Sequence, residues 1–112
     1  MSKRSAMTTA PSRRRSLRVH LDKNLRASIT GAHRGTARVR DLAIGGAFLE
    51  TEQHFAAGDS IHVEILSASK PFESDAIVRD AKPEGIGVEF VEMKPEAREL
   101  LRLLIAGLLG NI

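Results

Sequence analysis

The chain has 112 residues, enough for one domain with its own core, and 42% of them are hydrophobic while 28% are charged. It contains no cysteine, which excludes a disulfide framework and a thiolate zinc site. The net charge is +3, but residues 1–40 hold eleven Lys and Arg against one acid, whereas residues 41–112 hold six against thirteen. This asymmetry favours an anionic partner for the N-terminal third, such as phosphate or nucleic acid.

Neither end of the sequence has the pattern of a membrane segment. The first residues are polar and lack the apolar run of a signal peptide. The apolar run at residues 100–109 is interrupted by Arg102 and is shorter than the roughly 20 residues that a bilayer requires. We therefore expect a cytoplasmic protein without membrane insertion.

The N-terminal region divides into an arm and a basic segment. Residues 1–12 show no periodic pattern and are expected to form a disordered arm, so that the folded domain comprises residues 13–112. The domain begins with four arginines in six residues, in the segment Arg13-Arg14-Arg15-Ser16-Leu17-Arg18. Residues 19–24 are expected to connect this segment to the fold.

Alternation of polar and apolar residues predicts six short strands. They cover residues 25–30, 37–41, 47–51, 61–66, 73–80 and 86–90. Gly45-Gly46 is expected to allow a sharp reversal or a bulge, because glycine reaches positive φ without steric cost. Six strands at this spacing favour a small barrel or a sandwich, since closing the sheet removes exposed edges.

The pattern changes to that of a helix at Lys94-Pro95-Glu96. Proline suits the first turn of a helix, and an acidic residue there favours the helix dipole. An apolar face follows, with Gly110 as the expected stop; it contains Leu100, Leu101, Leu104, Ile105 and Leu108. This helix is expected to pack on the barrel or partly on a second copy of the chain.

Two segments carry the chemistry that points to a ligand. The arginine fork donates two parallel hydrogen bonds, to adjacent phosphate oxygens or to O6 and N7 of guanine, and its plane stacks on bases. The segment Asp41-Leu42-Ala43-Ile44-Gly45-Gly46 supplies a carboxylate that can accept from guanine N1 and N2, and glycines let backbone amides approach phosphate. Together the two segments predict a phosphate ligand that contains guanine.

These two segments resemble the motifs of PilZ domains. Arg14-Arg15-Ser16-Leu17-Arg18 is similar to the family's RxxxR motif, and the segment from Asp41 to Gly46 is similar to its [D/N]xSxxG motif. The strand Gly85-Ile86-Gly87-Val88-Glu89-Phe90 and the C-terminal helix also fit the family, so that the resemblance covers roughly residues 13–109. It implies a mainly β fold, a six-stranded antiparallel barrel with a C-terminal α-helix.

The resemblance also implies a receptor for the bacterial second messenger cyclic di-GMP, usually bound as an intercalated dimer. By position, Arg14 is expected to stack on guanine, Arg18 to contact phosphate and a guanine edge, and Asp41 to accept from guanine N1 and N2. Arg13 or Arg15 is expected to add a further contact, and Gly46, with Gly45 beside it, to let the turn approach the ligand. The proposed consequence is that the arginine segment becomes ordered on the ligand and signals to a downstream protein.

One position departs from the family pattern, because Ala43 stands where the motif has serine. The missing hydroxyl costs roughly 0.5 to 1.5 kcal/mol, or up to about tenfold in affinity. This leaves open an interaction module that does not bind the ligand. A basic nucleic-acid-binding protein is the less favoured alternative, since no aromatic residue interleaves the arginines.

Enzymatic and metal-dependent functions are not predicted. The sequence has no nucleophile elbow, no cysteine nucleophile and no carboxylate pair tied to a base. The four histidines are scattered without the spacing of metal ligands; they are His20, His33, His54 and His62. We expect no catalytic residues, no metal site and no cofactor, with cyclic di-GMP as the only small-molecule ligand.

Overall fold

The computed structural model describes residues 18–21, 25–31, 33–66 and 70–110. These ranges form seven strands and one helix. In chain order they are β1 (Val19–His20), β2 (Arg26–Gly31), β3 (Gly35–Leu42), β4 (Gly46–Glu50), β5 (Ser60–Leu66), β6 (Phe72–Lys82), β7 (Gly85–Val91) and α1 (Pro95–Gly110). The six strands predicted from the sequence correspond to β2–β7, and the predicted helix corresponds to α1.

The strands β2–β7 close into an antiparallel barrel. Hydrogen-bonded neighbours follow the order β3-β2-β5-β6-β7-β4, and β4 pairs with β3 to complete the ring. This closure confirms the six-stranded antiparallel barrel and excludes an open sandwich. No helix in the described part of the chain is long and apolar enough to span a membrane.

The short strand β1 was expected to be part of a connection. It instead pairs with the C-terminal end of β3, where Val19 lies opposite Leu42 and His20 opposite Asp41. Because β2 pairs only with the N-terminal half of β3, β1 occupies the edge that β2 leaves free. A two-residue strand is too short to show an alternating pattern, so the sequence did not predict it.

The core is aliphatic and is built from the inward face of each strand. On β5, for example, Ile61, Val63 and Ile65 are buried in alternation. Helix α1 packs Leu101 and Ile105 against the same core. Its first intrahelical bond runs from the Arg98 amide to the Lys94 carbonyl oxygen, so that Pro95 occupies the first turn, where its missing N–H is not needed.

Two β-bulges interrupt the barrel on the same side. In β3 the register against β4 shifts between Val39 and Asp41, which makes Arg40 the extra residue. In β6 a second shift against β7 makes Arg79 the extra residue. Strict alternation would turn Asp41 toward the core together with Val39, but the bulge reverses the phase, so that Leu42 is buried and Asp41 lies outside.

Candidate functional site

An open cavity of about 670 Å³ lies on the outer face of the barrel, where both bulges meet. Its lining includes every predicted site residue that the structure describes, namely Arg18, Asp41, Ala43, Gly45 and Gly46. The other predicted site residues, Arg13 and Arg14, lie outside the described residues, as does the predicted arm at residues 1–12. Folding therefore brings the end of the arginine motif and four residues of the second motif to one surface.

Strand β1 is what brings these two segments together. Arg18 directly precedes β1, whose two residues pair with Leu42 and Asp41 at the start of the second motif. The amide of Leu21 also donates to the carbonyl oxygen of Arg40, at 2.8 Å. These backbone contacts fix the distance between the last arginine of the first motif and the carboxylate of the second.

Asp41 is oriented by its neighbours. Its Oδ1 atom lies 2.8 Å from Nδ1 of His20, and its Oδ2 atom lies 3.8 Å from Nε of Arg40. The side chain is 16% exposed, so that the carboxylate is held at the cavity wall and still meets solvent. A carboxylate oxygen has two lone pairs, and one contact to each oxygen leaves acceptor capacity for a bound molecule.

The two glycines form a tight hairpin, but for a different reason from the one predicted. The amide of Ala43 donates to the Gly46 carbonyl at 2.9 Å, and the amide of Gly46 donates to the Ala43 carbonyl at 3.3 Å, which leaves Ile44 and Gly45 as the loop. The predicted sharp reversal is therefore present, but neither glycine has positive φ, so the freedom of glycine to adopt that conformation is not its cause. Gly46 is required because a Cβ there would collide with the carbonyl oxygen of Val88 on β7.

Gly45 differs from its neighbour, since a Cβ on it would meet no atom of the described residues within 4 Å apart from those of its chain neighbours. It is exposed at the cavity rim, and its carbonyl oxygen accepts a hydrogen bond from the Phe90 amide at 2.9 Å. Packing among the described residues therefore does not explain a glycine at this position. The bare backbone is suited to close approach by a ligand.

Several residues of the cavity were not predicted from the sequence. Arg40 lies with its guanidinium carbon 4.0 Å from the ring centroid of Phe48, and Arg79 donates from Nε to Oε1 of Glu89 at 2.6 Å. The remaining unpredicted side chains with charge are Lys82 and Asp80, which form an ion pair at 3.5 Å. The sequence contains only a weak indication of these positions, which is that Arg40 lies where the alternation of β3 ends. Alternation alone does not show that a bulge follows.

The charges of the cavity suit an anion. Four Lys or Arg side chains line it against two Asp side chains. A larger cavity of about 900 Å³ lies toward the opposite end of β3 and β4, but it contains none of the predicted site residues. Its charged lining has two arginines against three glutamates, so the smaller cavity is the better anion site.

The described residues contain no group of His, Asp and Glu side chains arranged to hold a metal ion. His62 lies outside the cavity, with Nδ1 2.9 Å from Oδ1 of Asp75 and Nε2 3.0 Å from Oε1 of Glu73. The hydrogen bond to Asp75 and then the one to Glu73 raise the pKa of His62 above 6.5, against a smaller opposing effect of burial. This arrangement stabilises a protonated imidazole on the barrel surface.

Comparison with known protein families matches residues 12–107 to the PilZ domain. The chain belongs to the PilZ domain family. PilZ domains are typically non-catalytic receptor domains. No curated protein matches the sequence significantly.

Solved structures show the same PilZ fold. The chain is similar to the PilZ domain of YcgR from Escherichia coli with c-di-GMP, at 20% identity and a TM-score of 0.73, with 88% of this chain and 93% of that one covered. The chain is also similar to YcgR from Escherichia coli in complex with c-di-GMP, at 18% identity and a TM-score of 0.73. This match covers 88% of the present chain but only 47% of that YcgR chain. A PilZ domain of CeSA from a cellulose-synthesizing bacterium matches at 14% identity and a TM-score of 0.69, with coverages of 83% and 98%.

Within this PilZ domain, the second motif is the better defined of the two. Asp41, Ala43 and Gly46 all line the cavity, while the first motif contributes Arg18 from its described end. Ala43 is 6% exposed at the place of the motif serine, and its methyl group donates no hydrogen bond. Among the described residues, the cavity thus combines Arg18, Asp41 and Gly46 with an alanine that has no hydroxyl.

Proposed function

We propose that this PilZ domain is a receptor for cyclic di-GMP that signals to a partner protein. The observation that carries the proposal is the basic cavity that Arg18 from the first motif lines together with Asp41, Gly45 and Gly46 from the second. Family membership supports the ligand class, and two similar solved structures are described as containing c-di-GMP.

Each residue type has a defined chemical role in this proposal. The guanidinium of Arg18 donates paired hydrogen bonds to phosphate oxygens or to a guanine edge. The Asp41 carboxylate accepts from the N1 and N2 donors of guanine. The exposed backbone at Gly45 lets the ligand approach closely, and Arg13 and Arg14 add contacts from the preceding segment, with Arg14 stacked on a base. The ligand binds as an intercalated dimer.

Ligand binding is proposed to act by ordering the arginine segment over the cavity. The ligand binds preferentially to the state with an ordered arginine segment, because the arginines contact the ligand only in that state. Binding therefore increases the fraction of molecules in the ordered state. The surface formed by the ordered segment and the cavity rim is the signal for a partner. Trypsin tests this step, because saturating cyclic di-GMP should slow cleavage after Arg13, Arg14 and Arg15. Cleavage at an unchanged rate would contradict ordering.

Calorimetric titration of cyclic di-GMP tests the receptor proposal. The unaltered chain is expected to bind saturably, and a double variant with Arg14→Ala and Arg18→Ala is expected to show no saturable heat. The matched control removes two arginines elsewhere, with Arg26→Ala and Arg34→Ala, and should retain binding. Equal loss in both double variants would indicate a general charge effect in place of a site.

Ala43 is the specific observation that favours a second candidate, a PilZ interaction module without ligand binding. The absence of heat at high ligand concentration in the unaltered chain would support it.

Binding to nucleic acid predicts a different result, because affinity for phosphate backbones falls steeply as salt increases. A shaped cavity should instead keep its preference for cyclic di-GMP over GTP and cyclic GMP at high salt.

A further inference from the structure

Arg40 occupies an unusual position in the cavity wall. It is the extra residue of the β3 bulge, and its guanidinium carbon lies 4.0 Å from the ring centroid of Phe48. Phe48 is 7% exposed, and its ring lies on the cavity side of β7 next to Gly85 and Gly87, so that it is a fixed support. The ring attracts the cation electrostatically and restricts the guanidinium to the cavity surface.

The polar contacts of Arg40 are loose. Its Nη1 atom lies 3.6 Å from Oε2 of Glu50, and its Nε atom lies 3.8 Å from Oδ2 of Asp41, both longer than a hydrogen bond. Arg38, two residues earlier on the same strand, places both Nε and Nη2 at 2.9 Å from Oε1 of the same Glu50. Arg40 therefore has donors to offer a ligand, while Arg38 is committed to its carboxylate.

The side chain of Arg40 is also accessible from the cavity. It is 31% exposed and lines the cavity beside Asp41, while Arg38 lines the larger cavity at the other end of the strand. The ring of Phe48 lies on one side of the guanidinium. The exposed part of the Arg40 side chain can meet a planar group, and a guanidinium stacks well on such a group.

We propose that Arg40 binds a purine base of the ligand by stacking, as the middle layer between that base and the ring of Phe48. This inference rests on the proposed receptor function and adds a residue to which neither motif assigns a role. A base whose edge is held by Asp41 lies beside the guanidinium of Arg40, because the carboxylate and the guanidinium are 3.8 Å apart. Stacking is tolerant of base identity, so Arg40 contributes affinity and Asp41 contributes the choice of guanine.

Calorimetry with cyclic di-GMP on four chains tests this role. The variants Arg40→Ala and Arg40→Lys should each bind roughly tenfold more weakly than the unaltered chain, within the range found for removal of a stacking partner. Lysine keeps the charge but not the planar fork, and its failure to restore affinity separates stacking from simple attraction. The control variant Arg38→Ala also loses one positive charge and a contact to Glu50. It should bind cyclic di-GMP within about twofold of the unaltered chain, because Arg38 lies outside the cavity.

Three results would overturn the inference. Arg40→Lys binding as tightly as the unaltered chain would show that only charge matters, and Arg38→Ala losing as much affinity as Arg40→Ala would show a nonspecific field effect. Either result leaves the receptor proposal intact. If the unaltered chain does not bind cyclic di-GMP, both the receptor proposal and the role of Arg40 fail together.

A measurement on the unaltered chain avoids any folding defect of the variants. The Nε–Hε NMR signal of Arg40, identified by its absence from the spectrum of Arg40→Lys, should move upfield when cyclic di-GMP saturates the protein, because a stacked base shields it. An Arg40 signal that stays in place while the amides of Gly45 and Gly46 shift would overturn stacking and support the receptor. If none of these signals shifts, the receptor proposal itself is wrong.

Discussion

The adjacent glycines of the second motif should respond differently to the same substitution. Gly46 begins β4 and lies opposite Glu89 of β7, where an added Cβ would collide with the carbonyl oxygen of Val88. That oxygen belongs to the backbone of a barrel strand, so it has no rotamer that relieves the collision. At Gly45, in contrast, no atom of the described residues beyond its chain neighbours lies within 4 Å of the position that an added methyl group would take.

The magnitudes follow from what each substitution disturbs. Gly46→Ala must separate β4 from β7 near the pair Ala47 and Val88, which weakens one or two ladder bonds and the packing beneath them. We expect a loss of about 2 to 4 kcal/mol in the free energy of unfolding. For a domain of this size, that loss lowers the melting temperature by roughly 10 to 20 °C. Gly45→Ala should change stability by less than about 1 kcal/mol, since it introduces no clash and restricts the unfolded chain.

Urea denaturation followed by circular dichroism measures both values on the unliganded chain. Equal destabilisation by the two variants would refute the packing argument, as would a Gly46→Ala variant as stable as the unaltered chain. Binding by Gly45→Ala then tests the second role. A variant of normal stability that binds cyclic di-GMP more weakly would show that the ligand, and not the fold, requires a glycine there.

Three further outcomes are expected. Ala43→Ser restores the hydroxyl of the family motif, and calorimetry should show up to about tenfold tighter binding of cyclic di-GMP, with weaker binding contradicting the assigned role. His20→Ala removes the group that orients the motif carboxylate, so calorimetry should show a loss of several-fold, and His20→Asn should recover part of it. Because hydrogen bonds to Asp75 and Glu73 raise the pKa of His62 above 6.5, its stabilising contribution is complete below pH 6.5 and declines as the pH rises through the raised pKa. Denaturation should therefore show that the free energy of unfolding of the unaltered chain falls between about pH 6 and about pH 8.5, and that this fall is smaller in His62→Gln. An equal fall in the two proteins would contradict the role of His62.

The barrel could be predicted because most strands have one face in the core. Buried residues such as Ile61, Val63 and Ile65 alternate with polar ones, and this period of two is visible in the sequence. The helix could also be predicted from the sequence, because Pro95 indicates its start and the spacing of the leucines indicates its buried face. Strand β1 was missed because two residues are stabilised by pairing with β3 and show no pattern of their own.

The candidate site was predictable only where it coincides with the motifs. Arg18, Asp41 and Gly46 were found because the spacing of charge and glycine resembles the family pattern. Arg40 was not predicted to line the cavity, because alternation places it on the outer face without revealing the bulge that turns Asp41 outward beside it, and a bulge is a property of the pairing between two strands. Phe48 has the residue type of a core position, and its contact with Arg40 cannot be inferred from the sequence.

In the proposed receptor, the position of β1 determines how many residues of the arginine motif become ordered when the ligand binds. Arg18 is followed at once by residues that pair with β3, and the Leu21 amide and the His20 side chain add contacts to Arg40 and Asp41. Fixing the backbone of one residue costs about 1 to 2 kcal/mol, so an arginine that adjoins a paired strand contributes affinity at a lower entropic cost than one further away. The proposed ordering step therefore concerns the residues before Arg18, and the proposal assigns the signal to a partner to the segment that contains Arg13 and Arg14.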